Sequence, residues 1–126
     1  MERKQSMTNT NAILASILMQ VETGNRPLIG DNGRAIGPLQ VHAAAVADVN
    51  RAFGTTYKHR DMMDRDAAVA VFDRYLWLYA QPRRLGRPVT DEDRARIWNG
   101  GPNGWKRKAT LGYAAKYRKE ARRIQK

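Results

Sequence analysis

Val21-Glu22-Thr23-Gly24-Asn25, then Gly30-Asp31-Asn32-Gly33-Arg34, then Gly37-Pro38-Leu39-Gln40 joins an apolar helical stripe to a run of glycine-rich turns. Upstream of it Ile13, Leu14, Ile17, Leu18 and Val21 recur at helical spacing, which predicts a first helix opened by Asn9 or Thr10. Thr23-Gly24-Asn25 and Pro27 end that helix, leaving Glu22 at the edge of its apolar face. Asn32-Gly33 is a type I′ turn signal, so Ile29 to Ile36 is predicted to form a small β-hairpin with Asp31 at its tip or on its first strand.

Helical periodicity dominates the rest. Pro38 is well placed to open a second helix running to about Phe53. Asp64 or a nearby aspartate caps a third helix that ends before Pro82, and Thr90-Asp91-Glu92-Asp93 starts a short fourth, stopped at Asn99-Gly100-Gly101-Pro102. A fifth begins near Thr110 with Leu111, Ala114, Tyr117, Ala121 and Ile124 as its apolar side. The expected fold is mainly α, about five helices with one small β-hairpin between the first and second.

The 126 residues suit one domain, read as 9–126 after a flexible segment at 1–8. The apolar run Ala12 to Met19 after Glu2-Arg3-Lys4 is short, interrupted by Ser16 and followed by no convincing cleavage site. It is read as mature structure rather than a leader. Without cysteine, stability must come from packing. His42 and His59 make no metal-ligand pattern, and no cofactor is implied. The net charge of +11 is uneven: from Trp105 to Lys126 there are nine Lys or Arg and one acid, Glu120. Such a field attracts polyanions. An anionic wall polymer or a membrane surface fits it. Nucleic acid fits less well, because no recognition motif accompanies the charge.

Two carboxyls in contrasting surroundings, Glu22 beside apolar residues and Asp31 in a polar turn, suit cleavage of a glycosidic bond. One would protonate the leaving oxygen, and the other would stabilise the oxocarbenium-like centre, attack it, or activate water.

With these residues in view the chain resembles the lysozyme superfamily, most closely the invertebrate-type (destabilase-like) lysozymes and their bacterial and phage relatives. Glu22-Thr23-Gly24 is similar to that family's Glu-Ser-Gly, and Asp31-Asn32-Gly33 falls where its second carboxylate is expected. Gly37-Pro38-Leu39-Gln40-Val41 is similar to Gly-Pro-Phe-Gln-Ile. Asp93-Arg94-Ala95-Arg96-Ile97-Trp98-Asn99-Gly100-Gly101-Pro102-Asn103-Gly104 followed by Ala109-Thr110-Leu111-Gly112-Tyr113 carries the longest match. Soluble lytic transglycosylases share some of these landmarks more distantly.

The resemblance implies a lysozyme-like domain acting as a muramidase on peptidoglycan, cutting between N-acetylmuramic acid and N-acetylglucosamine. Glu22 would be the general acid and Asp31 the second carboxylate. Gln40, Asn99, Gly100, Gly101 and Tyr113 would line the cleft. A lytic transglycosylase releasing anhydro-muramic ends is one alternative. A non-catalytic protein that binds glycan or polyanions is another. The expected context is a monomeric phage-type or secretion-associated lysin, made in the cytoplasm and acting on the wall after release.

Overall fold

Helix α1, Asn9–Thr23, is the first element of the computed structural model, which describes residues 9–124. The flexible segment expected at 1–8 lies outside the described residues. Leu14, Ile17 and Leu18 are buried as the periodicity predicts, and so are Ala15 and Met19. Ile13 departs from that pattern and stays 60% exposed. The helix ends in a Schellman motif: Gly24 N donates to Gln20 O and Asn25 N to Met19 O, each at 3.1 Å. Both capping residues take positive φ, 64° at Gly24 and 72° at Asn25.

Strands β1, Ile29–Gly30, and β2, Ala35–Ile36, pair antiparallel with Ile29 opposite Ile36 and Gly30 opposite Ala35. Between them Arg34 N donates to Asp31 O at 3.1 Å across Asn32 and Gly33, whose φ values of 55° and 88° are the left-handed pair that a type I′ turn needs. Ile36 then pairs with Val41, so Gly37-Pro38-Leu39-Gln40 closes a second tight turn, with Gln40 N donating to Gly37 O at 3.0 Å.

This turn corrects the expectation that Pro38 opens the second helix. Gln40 sits at φ 51° and His42 is extended, so helix α2 spans only Ala43–Phe53. Gly37 is obligatory: its φ is 85°, and a Cβ there would lie 1.7 Å from the carbonyl oxygen of Met62. A 3₁₀ segment, His59–Met63, supplies that carbonyl, and Asp64 caps helix α3, Arg65–Tyr79, by accepting from Ala67 N at 2.9 Å.

The chain divides into two compact units, one up to Tyr75 and one from Leu76 onward. The buried apolar residues of the first include Leu14, Leu18, Leu39, Val49, Met62 and Phe72. The second contains α4, Pro82–Leu85, α5, Asp91–Gly100, two 3₁₀ turns (Gly104–Lys106 and Lys108–Thr110), and α6, Leu111–Ile124. Helix α4 is the element the periodicity missed. Four residues are too few to display a 3.6-residue period, although Pro82 at its start and Gly86 at its left-handed end follow the rules for helix termini. The architecture is mainly helical, with six helices among the described residues and a two-stranded sheet between the first two. None of these helices is long and apolar enough to cross a membrane.

In the second unit Thr90 caps α5 through a capping box: Asp93 N donates to Thr90 Oγ1 at 3.1 Å and Thr90 N to Asp93 Oδ2 at 2.9 Å. Along α6 the buried stripe is narrower than predicted. Ala114 is fully buried, but Leu111 and Ile124 are 51% and 48% exposed.

Candidate functional site

Glu22, Asp31 and Gln40 belong to the first unit, and Asn99, Gly100, Gly101 and Tyr113 to the second. Glu22 sits half-buried in the last turn of α1. Its neighbour Thr23 is the residue that sequence reasoning undervalued. It is buried, its hydroxyl lies 3.2 Å from Met19 O and 3.1 Å from Pro38 O, and it accepts from Arg26 N at 3.1 Å. One small side chain thus ties the end of α1 to the turn after the hairpin. The signal was a threonine directly before the capping glycine, where a hydroxyl reaches backbone on both sides.

Asp31 is exposed, with its carboxylate 3.4 Å from Arg34 Nη2. Gln40 has its amide donors committed: Nε2 donates to Leu28 O and to Gly37 O, each at 3.0 Å. Its carbamoyl group therefore braces the hairpin, and a Cβ on Gly30 would lie 2.5 Å from Gln40 Oε1.

In the second unit Asn99 is exposed and Tyr113 half-buried. Gly101, at φ 90° and ψ −175°, ends α5, with its N–H donating to Ile97 O at 2.9 Å. Gly100 packs so closely that a Cβ would fall 2.4 Å from Thr110 Cγ2. Thr110 is itself buried and accepts from Arg96 Nε at 2.8 Å, while its hydroxyl lies 2.7 Å from Gly104 O and 2.9 Å from Arg107 O. Both glycines are thereby explained by backbone geometry and close packing.

The charge of the chain is concentrated in the second unit. Between Leu76 and Lys126 there are fourteen Lys or Arg against four acids, a net of +10. The first unit has nine against eight, a net of +1. Each acid of the second unit is held by an arginine: Asp91 by Arg94, Glu92 by Arg118, Asp93 by Arg87 and Glu120 by Arg123. The cations left over include Lys106, Arg107, Lys108, Lys116, Lys119 and Arg122, all exposed. On α6 Lys116 and Lys119 share the side opposite buried Ala114. This surface is suited to an acidic counterpart.

Across 94% of its length the chain superimposes on 93% of a chain in the crystal structure of Aeromonas hydrophila PliI in complex with Meretrix lusoria lysozyme. The TM-score is 0.72 and the sequence identity 26%. The chain therefore shares its fold with a protein of that complex. No protein-family profile matches the chain, and no curated protein matches it in sequence.

This match corrects the expectation of an enzyme. The solved counterpart is a complex between two proteins, which carries lysozyme-related binding rather than cleavage of a glycan. The reading as a hydrolase, muramidase or endolysin is withdrawn on that finding. Gln40, Gly100 and Gly101, which the resemblance would place on a substrate, are engaged in bracing a hairpin, packing on Thr110 and ending a helix. For PliI the partner is a protein, where the charge and motifs here suggested peptidoglycan.

Proposed function

We propose that the chain is a non-catalytic binding protein, one member of a protein–protein complex of the kind that PliI and lysozyme form. The observation that carries this reading is the superposition over nearly the whole length of both chains at 26% identity. The charge of the second unit supports it. With its four acids paired, the surface around Lys106, Lys116 and Lys119 presents cations to an acidic face of a partner. Long-range attraction of this kind speeds encounter more than it deepens affinity, and it weakens with salt.

The test is titration calorimetry of the purified chain against Meretrix lusoria lysozyme and, separately, against Aeromonas hydrophila PliI. A saturable one-to-one complex with either protein is expected, with an affinity that weakens as salt is raised. No complex with either would overturn the proposal. So would release of soluble muropeptides from purified peptidoglycan by the wild-type chain and not by Glu22→Gln.

A further inference from the structure

A groove of about 440 Å³ runs along α3 in the first unit, within the size range of small-ligand sites. Its floor on α3 is Arg65, Asp66, Val69, Ala70, Asp73 and Arg74. The spacing i, i+1, i+4, i+5, i+8, i+9 places all six on one side of the helix. The facing wall on α1 is Ala12, Ala15, Ser16 and Met19, the first three small enough to leave room between the helices, and Tyr57 completes the lining.

The charges on this floor are arranged in two opposite-sign pairs. Arg65 and Asp66 stand at one end, Asp73 and Arg74 at the other, with Val69 and Ala70 as a neutral waist. Eight residues of helix separate the pairs, about 12 Å at about 1.5 Å of rise per residue. An extended peptide of about four residues covers that distance at about 3.3 Å per residue.

The two ends differ in what they lack. At the far end Arg74 Nε is buried with no hydrogen-bond partner among the described residues, although its Nη1 donates to Ala70 O at 3.2 Å. A buried guanidinium N–H left unmet is costly, and a carboxylate is the acceptor that suits it best. Asp73 beside it is already served by Asn11 Nδ2 at 2.7 Å. At the near end Arg65 Nη1 donates to Asn25 Oδ1 at 3.2 Å, and Asp66 stands exposed at the mouth.

We propose that this groove binds a short linear peptide with free termini, its carboxylate on Arg74 and its ammonium on Asp66. At the waist Ala12, Ala15 and Ala70 offer the peptide a small, apolar lining. This site is separate from the cationic surface of the second unit, so it stands or fails independently of the protein-binding reading.

The experiment is an NMR titration of the full chain with tetra-alanine, its C-terminal amide and its N-acetyl form. Tetra-alanine is expected to shift the amides of Val69, Ala70 and Ala15 saturably, and both capped forms to bind about tenfold more weakly or worse. Arg74→Gln should weaken tetra-alanine by a similar factor and leave the affinity of the amide unchanged. Asp66→Asn, at an exposed position, should do the same for the acetylated form. It keeps the test decisive should Arg74→Gln unfold the unit. No saturable shift with tetra-alanine at millimolar concentration overturns the proposal. Binding indifferent to both end groups and to Asp66→Asn overturns it equally.

Discussion

Arg87 grips Asp93 through two parallel hydrogen bonds, Nη1 to Oδ2 at 2.7 Å and Nη2 to Oδ1 at 2.8 Å. The same carboxylate accepts from Thr90 N, so one buried acid both caps α5 and anchors the Arg87 loop. The Arg87 guanidinium is the chief reason why the Asp93 carboxyl is lowered to about 2.

Stability should therefore depend on acid in a defined window. A carboxyl with a depressed folded pKa stabilises fully above its unfolded pKa of about 4, and loses that contribution as the pH falls through about 2. The shift corresponds to about 2 kcal/mol. Urea denaturation between pH 6 and pH 2 should show this loss, and Arg87→Gln should flatten the profile across the window. An unchanged profile in that variant would show that Asp93 is not the group responsible.

Gly37→Ala should be among the most damaging single changes in the first unit. It puts a Cβ 1.7 Å from Met62 O at a φ of 85°, so both strain and overlap oppose it. A loss of about 3 kcal/mol or more is expected. Gly33→Ala also has positive φ but meets nothing within 4 Å, and should cost only about 1 kcal/mol. Thermal melts of the two variants side by side separate steric overlap from backbone strain.

Thr23→Val keeps the shape of a buried side chain and removes its hydroxyl, leaving Arg26 N without its acceptor and Pro38 O without its donor. The expected cost is about 1–3 kcal/mol. Thr23→Ser, which retains the oxygen, should lose clearly less. A larger loss in Thr23→Ser than in Thr23→Val would place the effect in the methyl group instead.

Gly100→Ala should be rescued by a second substitution. The added methyl meets Thr110 Cγ2 at 2.4 Å, an atom that Thr110→Ser deletes while keeping the hydroxyl that joins Arg96 to Gly104. A double-mutant cycle should give a favourable coupling of about 1 kcal/mol or more. Additive losses would mean that the glycine is needed for its backbone and not for the space.

The first helix, its glycine stop, the Asn32-Gly33 hairpin and the capped start of α5 were legible because each rests on interactions within a few residues. A Schellman bond, a left-handed turn pair and a Thr–Asp capping box are local geometry, and local geometry is written in adjacent side chains. Pro38 misled because its fixed φ suits both a helix start and a tight turn. The bridge of Val41 to Ile36 and the carbonyl of Met62 against Gly37 decide between them.

The candidate site followed the same division. The helical fold, the absence of disulfides and the basic C-terminal third are legible in the residues, because periodicity, composition and charge need no partner to be read. Tertiary structure alone decided that Gln40 braces a hairpin, that Gly100 is packed on Thr110, and that Asp73 and Arg74 share a groove with α1. Those outcomes depend on which backbone carbonyl or side chain arrives from elsewhere in the chain, and residue spacing carries no record of that distance.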